Sequence, residues 1–442
     1  MTDGNERLAE LDALGRQVAD AVVEHDEVRL ISHNDADGIS AAGIMCNALY
    51  RRGILFHTTI VSQFDESTLE LIQKTKTSDC AVILCDMGSG QAEVTSRLEN
   101  AIIIDHHKPT GELECSHFNP HLVGIDGSSL LSASGGAYMV ARQMGDNTDL
   151  AGLALVGATG DKQVMESANR LILDEALENN VVTLRKGLLM GDAIISELLE
   201  YSIDPYLDIT GDRDKIKEFI DQTGFDGRLR DMSGDELRRF FSIIVLKLAR
   251  QGSTSVVGSL VGNILTLNCE VIPNVYDFVD VLNAAGKSDM AGIGLAVCMR
   301  DEGAVDWAMR VTRENQRIVI DSIRKAESKV REAGNFRYVV LENQGGTGLI
   351  AGTLIRYRYP DKPFIAFNEV EDMVKVSGRG TRELVDAGLD LAFAMKQAAE
   401  SVEGKGGGHD VASGASIPKG SVEDFMKVVD SAIGEQLGGD AG

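Results

Sequence analysis

Nothing in this 442-residue sequence resembles a membrane anchor, because no apolar run approaches the length that a bilayer-spanning helix requires. The first residues, 1–7, are polar and lack the apolar core of a signal peptide. The six cysteines show no CxxC spacing, and several lie inside apolar runs, so we interpret them as reduced core residues. These absences lead us to expect a cytoplasmic protein that does not bind a membrane.

The composition is that of an ordinary globular protein, with 43% hydrophobic and 25% charged residues, and the length predicts two or more domains. The net charge of −25 should repel a polyanion, so tight, non-specific binding to long duplex DNA is not expected. A nucleic-acid enzyme of this charge would need bound metal ions or local basic patches. A simply acidic cytosolic protein explains the charge equally well.

The stretch Ile31-Ser32-His33-Asn34-Asp35-Ala36-Asp37-Gly38 follows a mostly apolar run, 28–31, that is typical of a buried strand. Gly38 permits a turn into a helix-like segment. Two carboxylates and an imidazole on one short loop repel each other and lose hydration, and a divalent cation such as Mn²⁺ or Mg²⁺ would compensate. The alternative is a loop that only caps the following helix.

Further apolar segments are followed by acidic residues, and we expect three or four acidic strand ends in one parallel sheet. Run 81–85 ends at Asp86, run 101–104 ends at Asp105, and segment 153–156 is followed by Asp161. Ligands bind beyond the carboxyl ends of the strands in an open parallel sheet, so these ends should converge on one crevice. The expected cluster is too highly charged for one ion and fits two; it comprises His33, Asp35, Asp37, Asp86, Asp105, His106, His107 and Asp161.

The remaining chain divides into a motif-free helical segment and a second α/β region. Segments 184–199 and 237–248 are predicted to be helical, and a long charged helix is predicted over 308–333. From residue 335 strands and helices alternate again. Gly406-Gly407-Gly408 would let backbone N–H groups approach a phosphate to which His409 and Arg379 could donate, although a flexible glycine turn is the alternative.

These motifs carry a resemblance to a known family. Asp105-His106-His107, together with His33-x-Asp35-x-Asp37-Gly38 and Asp86, resembles the DHH phosphoesterase superfamily. The stretch from Gly406 to His409 resembles the GGGH motif of the associated DHHA1 domain, and Ser377-Gly378-Arg379-Gly380 resembles its serine-glycine-arginine strand end. The ordered set is most similar to the archaeal branch of the RecJ-like exonucleases.

The resemblance implies an α/β fold and two bound divalent metal ions, with Mn²⁺ preferred and Mg²⁺ as the alternative. A parallel-sheet DHH domain is expected at 1–178 and a smaller α/β DHHA1 domain at 335–442. Between them we place a helical insertion at 179–302 and a connector helix at 303–334.

Family roles carry over residue by residue. Asp86 is expected to bridge the two ions and to be catalytic. One ion would be completed by His33 and Asp35, although bacterial RecJ proteins often carry an acid in place of His33. The remaining assignments are Asp37, His106 and Asp161 on the other ion, His107 beside the reacting phosphate or in the metal shell, and Asp105 as a catalytic residue or as an orienting partner of a histidine. Substrate binding is expected at Ser377, Gly378, Arg379, Gly406, Gly407, Gly408 and His409.

The function implied by the resemblance is a single-strand-specific exonuclease that releases 5′-mononucleotides from DNA, or also RNA, in replication or repair, with an expected 5′ to 3′ direction. One alternative is a phosphodiesterase for short oligonucleotides or cyclic dinucleotides, and another is a catalytically inactive replication scaffold. Single-stranded nucleic acid is the expected partner. The insertion 179–302 is a candidate docking segment, with the GINS replication complex as the first partner to test.

Overall fold

The computed structural model describes residues 2–77, 79–252, 256, 258 and 260–438. They pack as two compact units. Unit 1 contains Met1–Gly187 and Asn263–Asn315, and unit 2 contains Leu188–Gly262 and Gln316–Gly442. No helix within these described ranges is both long and apolar enough to cross a membrane.

The strands, in chain order, are β1 (Glu27–His33), β2 (Leu55–Val61), β3 (Ala81–Cys85), β4 (Ala101–Ile104), β5 (Ser116–Phe118), β6 (Val182–Leu188), β7 (Val261–Leu267), β8 (Arg331–Glu332), β9 (Arg337–Glu342), β10 (Phe364–Val370), β11 (Met373–Arg379), β12 (Lys405–Gly408) and β13 (Ala412–Pro418).

The α-helices, in chain order, are α1 (Thr2–Val23), α2 (Ala36–Arg52), α3 (Glu66–Thr75), α4 (Ala92–Thr95), α5 (Ala133–Met144), α6 (Ala151–Gly160), α7 (Ser167–Glu178), α8 (Ile195–Tyr201), α9 (Arg213–Thr223), α10 (Gly234–Ala249), α11 (Val275–Lys287), α12 (Ala291–Cys298), α13 (Glu302–Glu327), α14 (Thr347–Tyr357), α15 (Arg382–Asp386), α16 (Leu391–Glu400) and α17 (Val422–Leu437).

Unit 1 is built on a five-stranded sheet in the order β2-β1-β3-β4-β5, and every pair in it is parallel. The central strands are buried along nearly their whole length, as expected when helices cover both faces of a parallel sheet. Since β1 neighbours β3 and β3 neighbours β4, the carboxyl ends of these strands lie side by side. The predicted α/β class and the parallel DHH sheet are confirmed.

The segment around Asp161 departs from the sequence prediction. Asp161 does not follow a strand; it caps the C-terminus of α6, a helix that is buried on nearly all sides. A short, continuous apolar run has no periodicity that distinguishes a buried strand from a buried helix, which is why the strand interpretation was wrong. Residues 184–188 are the reverse case, because they were predicted to be helical and belong to β6.

Residues of the predicted insertion, 179–302, pack with both units. Part of it, 188–262, belongs to unit 2, whereas 179–187 and 263–302 belong to unit 1. In unit 1, α11 braces the loop after β1: Asn283 Oδ1 accepts a hydrogen bond from the Ala36 N–H at 3.1 Å, and Asn34 Nδ2 donates to the Gly286 carbonyl at 3.3 Å. The C-terminal part of the insertion therefore supports the motif loop directly.

A partly buried ion-pair network also holds this part of the chain in unit 1. Arg300 Nη2 lies 2.9 Å from Glu270 Oε1, and Arg300 Nη1 lies 2.5 Å from Asp149 Oδ2. The Asp149 carboxylate also accepts from Arg51 Nη1 at 2.7 Å. The Glu270 side chain has no exposed surface, so its charge depends on Arg300 for compensation.

Unit 2 contains a six-stranded sheet in the order β12-β13-β11-β10-β9-β8. β9 and β10 run parallel, and the other neighbours are antiparallel. Residues 405–408 form its edge strand β12, so the glycine stretch is not a turn after a helix. The register pairs Arg379 with Ala412 and Gly408 with Ser413, which places the ends of β11 and β12 on either side of the start of β13.

We expect Arg300→Met to lower the free energy of unfolding by about 3–5 kcal/mol, because removal of one partner leaves the buried Glu270 charge uncompensated. Urea unfolding followed by circular dichroism measures the change. The double variant Arg300→Met with Glu270→Leu should recover most of the loss. A single variant as stable as the parent, or a double variant no better than the single one, would contradict this account.

Candidate metal centre

The ends of β1, β3 and β4 and the C-terminus of α6 bring most of the predicted site residues together. They form three groups whose ligand atoms lie within 4.8 Å of one another. The groups are His33 with Asp35 and Asp86; Asp86 with His106 and His107; and Asp37 with His106 and Asp161. Asp86 and His106 each belong to two groups, so the three form one continuous cluster.

Asp86 is the central member. Its side chain is buried, its backbone has φ 60°, and its N–H donates to the Ile104 carbonyl of β4 at 2.9 Å. Oδ2 lies 3.3 Å from His33 Nδ1, and Oδ1 lies 3.3 Å from His106 Nε2. Oδ1 accepts no hydrogen bond from any residue that the structure describes. A buried carboxylate oxygen without such a bond is costly unless a cation approaches it.

Asp37 is held by the N-terminus of α5. Its Oδ2 accepts from the Ala133 N–H at 2.7 Å, and its Oδ1 accepts from the Ser134 N–H at 2.9 Å. Ser132 caps the same helix, and its hydroxyl accepts from the Gly135 N–H. Two N–H groups of the first turn of α5 thus bind this carboxylate, where the positive end of the helix dipole also stabilises negative charge.

A close approach of α6 completes the Asp37 environment. A Cβ atom added at Gly157 would lie 2.0 Å from Ser134 Oγ and 2.2 Å from Asp37 Oδ1. Only glycine fits there without displacing the carboxylate. No sequence motif singles out Gly157; its steric role follows from the packing of α5 against α6.

The closely spaced carboxylates and imidazoles of the cluster shift one another's pKa values. Burial, followed by repulsion from Asp86, raises the pKa of Asp37, and burial followed by repulsion from Asp37 raises the pKa of Asp161. Hydrogen bonds to Asp35 and Asp86 raise the pKa of His33 to about 10. Burial lowers the pKa of His106, but the nearby carboxylates of Asp86 and Asp37 outweigh it and raise the pKa to about 11. All four shifts have the same origin, which is the concentration of negative charge in a partly buried site.

The donor set fits a divalent metal. Carboxylate oxygens and imidazole nitrogens suit Mn²⁺, and the oxygens also suit Mg²⁺. The orphaned Asp86 Oδ1 points to the same conclusion. The residues that could hold ions are His33, Asp35, Asp37, Asp86, His106, His107 and Asp161.

Asp105 stands apart from the three groups. Its Oδ1 accepts from the His106 N–H at 2.7 Å, the His107 N–H at 3.1 Å and His107 Nδ1 at 2.8 Å, and its Oδ2 accepts from the Ser89 N–H at 2.9 Å. Burial raises the pKa of Asp105, but these bonds lower it to about 2. Of the two roles considered for this residue, the contacts favour orientation of a histidine.

A buried polar network behind Asp105 was missed in the sequence. Ser89 Oγ lies 2.8 Å from His117 Nε2 and accepts from Asn119 Nδ2 at 3.0 Å, and the same Nδ2 contacts the His107 carbonyl at 2.8 Å. His117 therefore supports the loop that bonds to Asp105. These polar residues lie on separate segments without a motif, so no sequence pattern identifies them.

In unit 2, Arg379 lies beside the N-terminus of α14. A Cβ atom added at Gly348 would lie 2.6 Å from Arg379 Nη2, and Thr347 Oγ1 lies 3.2 Å from Ser377 Oγ. Burial lowers the pKa of Arg379, and no described carboxylate lies within ion-pair distance of its guanidinium. A half-buried cation next to hydroxyls and a helix N-terminus is suited to an anion.

Steric contacts explain why two positions of β12 are glycine. Added Cβ atoms would lie 2.6 Å from the Met395 carbonyl oxygen at Gly406 and 2.7 Å from the Ala412 carbonyl oxygen at Gly408. The His409 N–H donates to the same Ala412 carbonyl at 2.9 Å. Close packing against α16 and β13 is therefore sufficient to require glycine at both positions.

Two family models match this sequence. The DHH family, N-terminal domain, matches residues 27–158, and the DHHA1 domain matches residues 336–435. An uncharacterized protein of Methanocaldococcus jannaschii is 31% identical over 444 residues, which is 98% of this chain and 99% of the relative. This chain belongs to the DHH/DHHA1 superfamily. All the metal-group residues except Asp161 lie inside the matched DHH range.

Solved structures show the same fold at low identity. The chain is similar to RecJ of Thermus thermophilus in complex with Mn²⁺ (TM-score 0.56, 16% identity), covering 96% of this chain but only 55% of that one. It is similar to an exonuclease RecJ bound to manganese (TM-score 0.57, 15% identity; 98% and 96% covered). It is also similar to CDC45 of Entamoeba histolytica (TM-score 0.59, 13% identity; 97% and 99% covered).

We expect Gly157→Ala to weaken Mn²⁺ binding by about 10- to 100-fold, the usual cost of disturbing the support of a metal ligand. Gly152→Ala is the matched control, since it lies in the same helix and its added Cβ would meet nothing closer than 3.7 Å. Calorimetric titration of both variants with Mn²⁺ measures the difference. Equal Mn²⁺ affinity in the two variants would show that the approach of Gly157 to Asp37 does not hold the ligand in place.

Proposed function

We propose that this protein is a metal-dependent exonuclease that hydrolyses the phosphodiester bonds of single-stranded nucleic acid and releases mononucleotides. The observation that carries the proposal is the cluster around Asp86, with its unpartnered Oδ1 and its continuous set of carboxylate and imidazole donors. The superfamily fold points to phosphoester hydrolysis. The finer activity rests on this cluster and on the likeness to RecJ structures that contain Mn²⁺ or Mg²⁺.

A pair of divalent ions, when bound, would activate water near neutral pH and stabilise charge on the attacking and leaving oxygens. The residues of this chain hold in place the carboxylate and imidazole groups that would bind these ions. Asp86 reaches both the His33 and the His106 sides of the cluster. The α5 N-terminus orients Asp37, and Asp105 orients His107.

Unit 2 supplies the proposed phosphate-binding group. The Arg379 guanidinium has no described carboxylate within ion-pair distance, and Ser377, Thr347 and the N-terminus of α14 lie beside it. A backbone phosphate would give this half-buried cation the counter-charge that no described carboxylate provides. Such a local site also explains how a protein of net charge −25 could hold a polyanion.

A catalytically inactive scaffold, the alternative that is not an enzyme, fits the cluster less well than a hydrolase does. Carboxylates this close together repel one another, which is an energetic cost that a scaffold has no need to keep. A phosphodiesterase for short oligonucleotides uses the same chemistry and differs only in substrate length. Partner docking, with GINS as the candidate, is best sought in 188–262, because 263–302 braces the metal loop.

The decisive experiment incubates the protein with 5′- and 3′-labelled single strands of DNA and RNA, with Mn²⁺, Mg²⁺ or a chelator. We expect mononucleotide release that requires the metal and that starts at the 5′ end. Dinucleotide cleavage without degradation of longer strands would favour the short-oligonucleotide alternative. Full metal binding without cleavage of any substrate would favour the scaffold.

We expect Asp86→Asn to reduce hydrolysis by about 10³-fold or more, because loss of a shared metal ligand removes several kcal/mol of transition-state stabilisation. Asp20→Asn, an exposed position on α1, is the control of the same chemistry. Turnover is measured together with bound metal by elemental analysis. A folded Asp86→Asn protein with normal turnover and normal metal content would exclude the central role of this carboxylate.

We expect Arg379→Ala to weaken binding of single-stranded nucleic acid by about 10- to 100-fold, the value of a charge-assisted hydrogen bond, without a change in bound metal. Arg382→Ala removes an exposed arginine from the same unit and serves as the control. Fluorescence anisotropy with a labelled strand in Ca²⁺ measures affinity without turnover. A loss of bound Mn²⁺ in Arg379→Ala would contradict the assignment of metal binding to unit 1 and of phosphate binding to unit 2.

A further inference from the structure

We infer that Gln163 is a positioning residue that fixes His106 and Asp161 together as ligands of one of the two metal ions. The inference rests on the proposed metal-dependent function. It concerns the group of Asp37, His106 and Asp161, and it leaves the group of His33, Asp35 and Asp86 unaffected.

The orientation of His106 is set by a backbone carbonyl. His106 Nδ1 lies 2.8 Å from the Gly127 oxygen, which can only accept a hydrogen bond. Nδ1 must therefore carry a proton, and Nε2 is the nitrogen left for a metal. Nε2 faces the cluster, 3.3 Å from Asp86 Oδ1 and 3.5 Å from Asp161 Oδ2.

Gln163 holds that carbonyl in place. Its Nε2 donates to the Gly127 oxygen at 2.9 Å, so one carbonyl accepts from both His106 and Gln163. Its Oε1 accepts from Asn169 Nδ2 at 2.9 Å. Each end of the amide thus has a partner of fixed polarity, and the side chain cannot flip without losing both bonds. Gln163 is 8% exposed and Asn169 is 1% exposed, so water does not replace these bonds readily.

The backbone of Gln163 links the hydrogen bonds at the Gly127 carbonyl to the segment that carries Asp161. Gln163 lies two residues after Asp161, and its N–H donates to the Ala158 carbonyl of α6 at 2.9 Å. The Asp161 N–H donates to the Gly157 carbonyl at 3.0 Å. A single residue therefore connects the helix end that presents Asp161 to the loop that orients His106. His106 and Asp161, which are distant in sequence, are therefore held at a fixed distance from each other.

Gly127 itself is a poor site for a test, because a Cβ atom there would lie 2.0 Å from the His106 carbonyl oxygen and would displace the backbone. Gln163→Met keeps the length of the side chain and removes the donor. Gln163→Glu keeps its shape and places a carboxylate oxygen against the Gly127 carbonyl. Asn169→Asp leaves Gln163 intact but replaces the donor to its Oε1 with an acceptor. The Gln163 amide should then rotate, so that its NH₂ group faces Asp at position 169 and its oxygen faces the Gly127 carbonyl.

The experiment titrates the metal-free full chain and each variant with Mn²⁺, by calorimetry and by electron paramagnetic resonance of free Mn²⁺. We expect two classes of site in the parent. In Gln163→Met, one class should weaken by about 10- to 100-fold and the other should stay within about twofold. Gln163→Glu should weaken the same class at least as much. Gln143→Met, which removes a hydrogen bond to Asp12 away from the cluster, should bind as the parent does.

Selective weakening of one class in any folded Gln163 variant, or in Asn169→Asp if neither Gln163 variant folds, supports the positioning role. Unchanged affinities, equal weakening of both classes, or a loss of thermal stability alone would overturn it and leave the proposed function intact. A parent protein that binds no Mn²⁺ would instead overturn the proposed function itself.

Discussion

The structure of unit 1 depends on the compensation of negative charge at one end of its parallel sheet. Strand order brings Asp86 between the ends of β1 and β4, so its carboxylate meets ligands from both sides. Such a cluster is tolerable only with protons on its histidines or with bound cations. The raised pKa values of His33 and His106 and the unpartnered Asp86 oxygen are two consequences of this one constraint.

Much of the surrounding chain serves to hold this cluster. The α5 N-terminus neutralises part of the Asp37 charge, Gly157 lets α6 approach it, and the Gly127 carbonyl fixes His106. Residues of α11, distant in sequence, brace the loop after β1. Because ligand positions must be accurate to fractions of an ångström, supporting residues of this kind matter nearly as much as the ligands.

The two units carry different chemistry. Unit 1 concentrates acids and imidazoles, which suit metal ions, whereas unit 2 offers a half-buried arginine without a described counter-ion, which suits a phosphate. Superfamily membership joins these features to phosphoester hydrolysis, although the same fold is found in CDC45. Fold alone therefore does not decide between enzyme and scaffold; the donor set of the cluster is the stronger argument.

The sequence by itself indicated the family, through motifs that resemble those of DHH and DHHA1 domains. It also indicated the α/β class and most candidate ligands, because apolar runs that end in Asp or His signal strand ends, and the ends of parallel strands converge. It predicted the wrong element for Asp161, since a short apolar run does not distinguish a buried strand from a buried helix. It also did not identify Ser89, Asn119 or Gln163, because a hydrogen bond between distant segments leaves no local pattern. Only the tertiary structure decided which carboxylates face the cluster and which, like Asp105, turn away to hold a histidine, since that depends on where each backbone donor lies.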